Sequence, residues 1–559
     1  MARRFLSLSV LLFTIGCKAD SSLTEDDFVD PVLEFTNPVA ADWLPAGETT
    51  VTGRVEGLDD LQINGAPAEI DGDTFSATIT LDRGINVIEA SGTDGNDHTR
   101  FERASVIAGE FADPGRPVKE AVVARLNTSG IDFAMDMVGD MINDMDIEGA
   151  IAGANPVYED TYGVWSWDAV YVRADIGSLD MGNIQLDANP EEAYLDLTVT
   201  IPWLDVWVPV YGDILGWDFD VDAWIWASSA EITGYVTVDV DNNDKLVADL
   251  HSPTVQLYGF GYDTSLLPGE IETYILVDTI REALEDMLVE QISEAVPPLI
   301  EEQLADLDLS FETELLDRDV AIEAGFTRAT IDEKGIELIT KIDVDMKGKG
   351  EATYAGYLAA DEKYPKVSRS GDLAAAISDD MLNRVLFEAW RSGIMDIELS
   401  TEDGSLAPEM LMALKATTGT VKVHADLPPV IVEHDKNIQL QAGEIIVDIY
   451  TPNGAMGDHV QLSIAVYGDI DLEVKKNKLK LDLQTPELII TVRDTDWGRS
   501  GSDEAVNLLL DNSFGIESLL GLLGDMSFDL PTIGDVNIAD AQVDRNKNGV
   551  YTDINIELN

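Results

Sequence analysis

The strongest periodic pattern in the chain is an apolar stripe between residues 271 and 304. Its members recur at spacings of three and four residues, the repeat of one face of an α-helix; they are Val277, Ile280, Leu284, Met287, Leu288, Ile292 and Val296. Acidic side chains and Arg281 occupy the remaining positions. The pattern predicts an amphipathic helix over 271–304 that is kinked or interrupted at Pro297-Pro298.

Three further segments show helical periodicity. The first spans 131–142, the second spans 378–391 with Ser378 as its predicted N-cap, and the third is a leucine-rich stretch over 503–523. The apolar positions of the first two are Ile131, Ala134, Met135, Val138, Met141, Ile142, Met381, Leu382, Val385, Leu386 and Ala389.

Apolar and polar residues alternate with a period of two elsewhere, which predicts β-strands. In the block 31–107, the segments 50–55, 61–63 and 75–81 alternate in this way and are separated by turn signals such as Asn64-Gly65. This block is predicted to be all β, with residues 108–117 as a linker. Beyond it, a helix, strands and a second helix occur in that order twice, over 118–306 and 370–530, so we expect two structurally similar halves.

Charge narrows the range of partners. The 559 residues include 106 acidic and 35 basic side chains, for a formal net charge of −71. Nucleic acid and anionic headgroups repel such a chain at long range, so no nucleic-acid partner is expected. Hydrophobic residues nevertheless make up 45% of the chain and occur in periodic segments, which excludes a disordered acidic protein.

The N-terminus has the organisation of a bacterial export signal. Arg3 and Arg4 precede an apolar run over 5–15 that is too short to span a bilayer, and Gly16 stands before Cys17, the only cysteine. The end of this segment, Thr-Ile-Gly-Cys, resembles the lipobox of bacterial lipoproteins, although that motif usually has Leu where Thr14 stands. The resemblance implies a signal peptide over 1–16, acylation of Cys17, a tether over 17–30 and a lipid-anchored protein of the cell envelope, expected in the outer membrane. The alternative is an ordinary secretory signal with an incidental cysteine.

Four segments, in order along the chain, resemble the family of bactericidal/permeability-increasing protein, lipopolysaccharide-binding protein and cholesteryl ester transfer protein, within the tubular lipid-binding superfamily. They are residues 122–142, 343–350, 374–399 and 528–538. The block 31–107 resembles a glucodextranase-B-type immunoglobulin-like module, a kind of domain that usually serves as a spacer. Together these resemblances imply an α+β fold with an N-terminal all-β immunoglobulin-like sandwich and two elongated half-barrels, 118–325 and 326–559. Each half-barrel would wrap a highly twisted antiparallel sheet around a long helix, and a central sheet would join them.

The resemblance also implies apolar tunnels for acyl chains between helix and sheet. The expected lining residues are Ile131, Met135, Val138, Ile142, Ile280, Leu284, Met287, Leu288, Ile292, Met381, Leu382, Val385 and Leu386. The alternative for these residues is plain packing of helix on sheet.

The tip of the first half departs from the endotoxin-binding relatives, where a hairpin is strongly basic. Its counterpart here, residues 208–217, contains no Lys or Arg. An apolar membrane-contact tip of Tyr211, Ile214, Leu215 and Trp217 is expected instead. Trp217 is one of five clustered tryptophans, which are Trp203, Trp207, Trp217, Trp224 and Trp226. The alternative to membrane contact is that these residues pack as ordinary members of half-exposed strands.

Signals for metal sites and catalysis are weak. Asp544, Asn546 and Asn548, followed by Gly549, resemble the start of a calcium loop, but Asn555 stands where an EF-hand has its bidentate Glu, and a hairpin turn is the alternative. Asp239, Asp241 and Asn243 make a weaker version. The five histidines are scattered, and no HExxH, G-x-S-x-G or P-loop motif occurs, so no enzyme activity and no committed cofactor are expected.

The predicted function is therefore a membrane-anchored protein that holds lipid acyl chains for transfer or presentation in the cell envelope. The sequence does not name the lipid or any protein partner. The alternative is a surface adhesion or scaffolding lipoprotein that binds carbohydrate or protein through its immunoglobulin-like module.

Overall fold

The computed structural model describes residues 31–94, 99–145, 149, 155–164, 167–214, 216–264, 273–305, 307, 311–315, 318–346, 354–360, 367–411, 415–452, 454–455, 457–475, 478–496, 527–530, 538–545 and 550–558. Within these residues the chain is mostly β, with curled sheets. The predicted signal peptide, Cys17, the tether and the predicted helix 503–523 lie outside the described residues.

Two sheets form a sandwich at the N-terminal end. The first contains, in spatial order, Val32–Asn37, Gly47–Glu56, Thr74–Leu81 and Glu69–Asp71. The second contains Trp43–Leu44, Thr99–Ala108, Gly84–Asp94, Leu58–Ile63 and Ala66–Pro67. Alternating side chains such as Val51, Ile63 and Ile88 are fully buried between the sheets. Asn64 and Gly65 both have positive φ, as a tight hairpin turn requires.

Two sheets and two helices build the next region. A four-stranded sheet contains Gln185–Glu191, Tyr194–Ile201, Ser229–Val240 and Leu246–Tyr258. A six-stranded sheet contains Tyr158–Val164, Trp167–Ala174, Leu204–Ile214, Trp217–Ala227 and Gly261–Thr264, with Ser178–Met181 beside Leu204–Ile214. Helix α1, Thr128–Asn143, and helix α2, Thr273–Ala305, pack on each other and on the four-stranded sheet.

A central seven-stranded sheet connects this region to the rest. Its order is Phe311–Leu315, Arg318–Asp332, Gly335–Met346, Val118–Asn127, Leu373–Ser378, Tyr551–Leu558 and Ile538–Arg545. The expected division at 325–326 falls inside the strand Arg318–Asp332, so that strand crosses the boundary between the two expected halves.

The remaining sheet has eight strands. Six follow the order Ile397–Ser400, Thr420–Ala425, Asn437–Tyr450, His459–Lys475, Lys478–Leu483 and Ser527–Asp529. Val430–His434 pairs with the third of these strands, and Glu487–Thr495 pairs with the fourth. Helix α3, Asp379–Arg391, packs between this region and the central sheet, and a short 3-10 turn spans Pro408–Leu411.

The helices follow their predicted positions closely. The Ser378 hydroxyl accepts a hydrogen bond from the Met381 N–H at 3.1 Å, which confirms the predicted cap of α3. Helix α2 continues through Pro297 and Pro298, so of the predicted kink or interruption the interruption does not occur. Val296, Leu299 and Ile300, at most 6% exposed, anchor the helix on both sides of the prolines.

The sandwich packs directly on the eight-stranded sheet, although a spacer role was expected. Ile85 and Ile107 share an apolar cluster with Leu358, Val430 and Val432. The predicted linker 108–117 is partly a strand, because Glu110–Ala112 pairs with Tyr357–Ala359.

Buried polar contacts reinforce this junction. The buried Glu444 carboxylate accepts hydrogen bonds from the Ser105 N–H at 2.6 Å and from Arg493 at 2.6 Å. The Ile85 N–H donates to Gln441 at 2.8 Å, and the Tyr467 hydroxyl donates to the Ile85 carbonyl at 3.2 Å. Burial raises the pKa of Tyr467 to about 12.

One apolar core continues from α1 and α2 through the central sheet to the eight-stranded sheet. Among the helices in the described part of the chain, none combines the length and apolarity needed to cross a bilayer.

Candidate functional site

Helix α2 lies along the strand Leu246–Tyr258 and runs in the opposite direction. Near its C-terminal end, the Glu301 carboxylate accepts a hydrogen bond from the Ala248 N–H at 2.7 Å. Towards its N-terminal end, the Arg281 guanidinium lies over the Phe260 ring, 5.9 Å from the ring centre. These two contacts fix which part of the helix faces which part of the strand.

The side chains between helix α2 and this strand are more exposed at one end of the contact than at the other. At the Glu301 end, Leu246, Ala248 and Leu304 are at most 6% exposed. Beyond Leu250 the strand has a bulge, where Ser252 has φ +51° and the pairing with the neighbouring strand shifts between Thr233 and Tyr235. A bulge bends its strand and interrupts the ladder.

From Leu250, next to the bulge, to Phe260 beyond it, the core-facing apolar residues are only partly covered. Leu250, Val255, Leu257, Phe260 and the helix residue Met287 pack against the core but remain partly exposed. We call these five residues the helix–strand seam. The seam is an apolar strip at the edge of the continuous core, next to a helix clamped at one end.

The predicted lining residues, apart from Met287, are closed inside the core. Each of them is 4% exposed or less; they are Ile131, Met135, Val138, Ile142, Ile280, Leu284, Leu288, Ile292, Met381, Leu382, Val385 and Leu386. Their side chains therefore contact other protein atoms, and an acyl chain reaches them only where helix and sheet separate.

Helix α3 is buried along nearly its whole length. Its polar residues Arg384 and Glu388 are also buried and form an ion pair with each other. Burial raises the pKa of Glu388, and the nearby Arg384 and Arg391 only partly offset this effect. In the described part of the chain, the helix–strand seam along α2 is therefore our candidate for a lipid-binding surface, because its apolar side chains are partly exposed.

The predicted membrane-contact tip is the turn between the strands Leu204–Ile214 and Trp217–Ala227. Trp217 is 81% exposed and Tyr211 is 39% exposed. Leu215 and the side chain of Ile214 lie outside the described residues. Asp213 pairs with Asp218 across the hairpin, next to the pair that Trp217 forms with Ile214.

The other four clustered tryptophans lie on the outer face of the six-stranded sheet. Trp203, Trp224 and Trp226 are 46%, 53% and 40% exposed, and Trp207 is partly buried. Trp207 and Trp224 face each other across the strand pair, with ring centres 6.2 Å apart and an interplanar angle of 28°. We call Trp203, Trp207, Trp224 and Trp226 the tryptophan face; its rings are at the surface rather than packed between layers.

The metal candidates do not form a described site. Asp544 is the penultimate residue of the strand Ile538–Arg545 and accepts a hydrogen bond from Gln542 at 2.9 Å, while Asn546 and Asn548 lie outside the described residues. Asp241 caps a hairpin turn, and hydrogen bonds from the Lys245 N–H and from Asn243 hold its pKa below the usual range. No group of three or more metal-ligating side chains comes together in the part of the chain that the structure describes.

The sequence pattern did not predict the four seam residues that belong to the strand segment rather than to the helix. Leu250, Val255, Leu257 and Phe260 belong to a segment whose alternation changes phase at Ser252-Pro253. That phase change, with a proline inside a strand, is the signal that indicates a bulge.

The chain matches no family model and no curated protein by sequence. Among solved structures it is similar to the crystal structure of lipopolysaccharide binding protein, with a TM-score of 0.43 and 12% identity over 79% of this chain and 99% of that chain. The crystal structure of P47 of Clostridium botulinum E1 aligns with a TM-score of 0.29 and 10% identity, over 79% of this chain and 100% of that chain. The solution structure of latherin aligns with a TM-score of 0.18 and 14% identity, over 33% of this chain and 86% of that chain. The function proposed below rests on the geometry of this chain.

Proposed function

We propose that this protein binds the acyl chains of lipids at the helix–strand seam. The observation that carries the proposal is the partly exposed apolar strip beside helix α2. This strip lies at the edge of the apolar core that extends from α1 and α2 to the eight-stranded sheet. A flexible acyl chain laid on this strip covers side chains that the bulged strand leaves accessible.

Apolar burial supplies the driving force. Each methylene removed from water contributes about 0.8 kcal/mol, so about ten methylenes contribute roughly 8 kcal/mol before the entropy cost of ordering the chain. The Glu301 carboxylate ties the C-terminal part of the helix to Ala248. We therefore expect the seam to open from the other end, next to Phe260 and Arg281.

Arg281 also suits the polar end of a lipid. Its side chain is 40% exposed, and it lies 4.0 Å from Asp278. A carboxylate or phosphate headgroup placed beside this guanidinium gains a charge-assisted hydrogen bond. The exposed outer face of α2 carries Glu282, Asp286 and Glu290, and these carboxylates disfavour an anionic headgroup on that face.

Native mass spectrometry of the soluble chain lacking residues 1–17 tests the binding. We expect co-purifying lipid, and after delipidation we expect uptake of a fluorescent fatty acid in a saturable manner. Absence of both would reject lipid binding and would leave the adhesion role of the immunoglobulin-like module as the better hypothesis.

We further propose that an acyl anchor on Cys17 holds this acidic protein at the membrane. Its support is the resemblance of the N-terminal segment to a lipobox and the charge of −71, which opposes adsorption to anionic lipid. A Cys17→Ser variant should shift from the membrane fraction to the soluble fraction. Unchanged membrane fractionation of that variant would rule out the anchor.

A further inference from the structure

Three of the four rings of the tryptophan face, those of Trp203, Trp207 and Trp226, lie directly against glycines of neighbouring segments. A β-carbon on Gly261 would lie 2.5 Å from the Trp226 ring, and one on Gly177 would lie 2.5 Å from the Trp207 ring. A β-carbon on Gly182 would lie 2.9 Å from the Trp203 indole nitrogen. Each of these three indoles therefore occupies space that a side chain at the neighbouring glycine would fill, and the rings of Trp203 and Trp226 remain exposed.

Carboxylates stand between these rings on the same face. Asp205 pairs with Trp226, and Asp263 pairs with Trp224. The Asp222 carboxylate accepts a hydrogen bond from the Trp207 indole N–H at 2.8 Å, which fixes that ring in place. On this face, carboxylates and indole rings are therefore directly opposite each other on neighbouring strands.

Acidic side chains outnumber basic ones on this face. Asp180 and Asp205 are directly opposite each other on paired strands, an arrangement of like charges that destabilises a sheet. Arg173, on the neighbouring strand, is already paired with Asp175 at 3.0 Å. A positively charged ligand at this face relieves the repulsion, and an anionic one increases it.

We infer that the tryptophan face docks a basic polypeptide segment through its Arg and Lys side chains. Cations bind most strongly to the face of an indole, and they gain further from carboxylates beside it. Trp203 and Trp207 are about 13 Å apart along one strand, and neighbouring strands lie about 4.8 Å apart, so the face accommodates several side chains of one segment. Charge complementarity selects this partner over nucleic acid, acidic polysaccharide or an anionic membrane.

Binding of hexa-arginine to the soluble chain, measured by calorimetry and tryptophan fluorescence in physiological salt, tests the inference. The matched probes are hexa-citrulline, which keeps the shape of arginine but not its charge, and a neutral glucose hexasaccharide. We expect binding of hexa-arginine at least tenfold tighter than that of either neutral probe. Equal or tighter binding of the saccharide would overturn the inference and identify a carbohydrate platform.

Variants separate the face from the general acidity of the chain. Trp224→Ala with Trp226→Ala keeps every charge, and Gly261→Ala keeps every ring but displaces Trp226 from the sheet. Each change should weaken hexa-arginine binding, the double variant at least tenfold, with unchanged thermal unfolding as the test of folding.

The control removes two carboxylates from the exposed face of helix α2. Glu282→Gln with Glu290→Gln should alter hexa-arginine binding less than twofold, whereas Asp205→Asn with Asp263→Asn should weaken it at least fivefold. Equal effects of the two pairs, or no effect of the tryptophan changes, would show non-specific attraction to an acidic protein and would overturn the inference.

Discussion

At the scale of single residues, buried ion pairs fix the central sheet. The Arg125 side chain is 2% exposed and donates to Asp332 at 2.5 Å, and Asp332 also accepts from the Lys334 N–H. Partial burial works to raise the pKa of Asp332, but these hydrogen bonds outweigh it and hold the pKa below the usual range. The pair therefore stabilises the fold at every pH above the ordinary value of 3.8 and is lost only as the pH falls through the lowered pKa.

Asp332→Asn should lower the free energy of unfolding by about 3 kcal/mol, because it leaves a buried guanidinium without its main carboxylate. Urea denaturation measures the change. Asp196→Asn, at an exposed position of the strand Tyr194–Ile201, should change the stability by less than about 0.5 kcal/mol. A similar small loss in both variants would show that the Arg125 pair does not hold the sheet.

At the scale of elements, the seam depends on which side of one strand a residue faces. Leu257 lies on the core side of Leu246–Tyr258 and is partly exposed, whereas its neighbour Gln256 faces solvent. Leu257→Asp places a charge where an acyl chain would lie, and it should weaken fatty-acid uptake at least tenfold. Gln256→Asp adds the same charge to the opposite side and should leave uptake within twofold; equal effects would place the acyl chain elsewhere.

The same element shows what periodicity predicts and what it does not. The stripe from Ile280 to Val296 predicts α2 well, because helical spacing repeats over many turns and each position is read independently of the rest of the fold. The seam depends on the Ser252 bulge, which shifts later residues relative to the neighbouring strand. That shift is a property of the pair of strands, and no single segment encodes it.

The sequence pattern alone also did not determine which tryptophan rings are exposed at the surface. Period-2 placement of Trp203 and Trp207 beside Asp205 is typical of a half-exposed strand, and these three residues are exposed or partly exposed in the structure. Which face meets the core depends on where the helices pack. The Trp207 and Trp226 rings lie against Gly177 and Gly261, which are distant from them in sequence.

At the scale of the whole molecule, self-repulsion dominates the electrostatics. Besides the net charge of −71, burial raises the pKa of several carboxyl groups, among them Glu102 at the sandwich junction, Glu388 in α3 and Asp426. A raised pKa in the folded state means that the folded chain takes up these protons before the unfolded chain does. Its stabilising effect is complete below the ordinary pKa and is lost as the pH rises through the raised pKa.

The melting temperature should therefore rise as the pH is lowered from 8 to about 5.5, and added salt should raise it most at pH 8. Differential scanning calorimetry at fixed ionic strength measures both trends. A melting temperature that falls over this range would contradict the dominance of carboxylate repulsion. The lowered pKa of Asp332 acts against this trend only below its ordinary value of 3.8, because its ion pair with Arg125 is lost as the pH falls through the lowered pKa.

The most direct test of lipid binding is photo-crosslinking with a fatty acid that carries a diazirine near its methyl end. After loading and illumination, peptide mass spectrometry locates the labelled residues. Acyl binding at the seam predicts label on Leu250, Val255, Leu257, Phe260 or Met287, and its loss when an unlabelled fatty acid competes. Label confined to the surface, or to the closed core around α3, would contradict acyl binding at the seam.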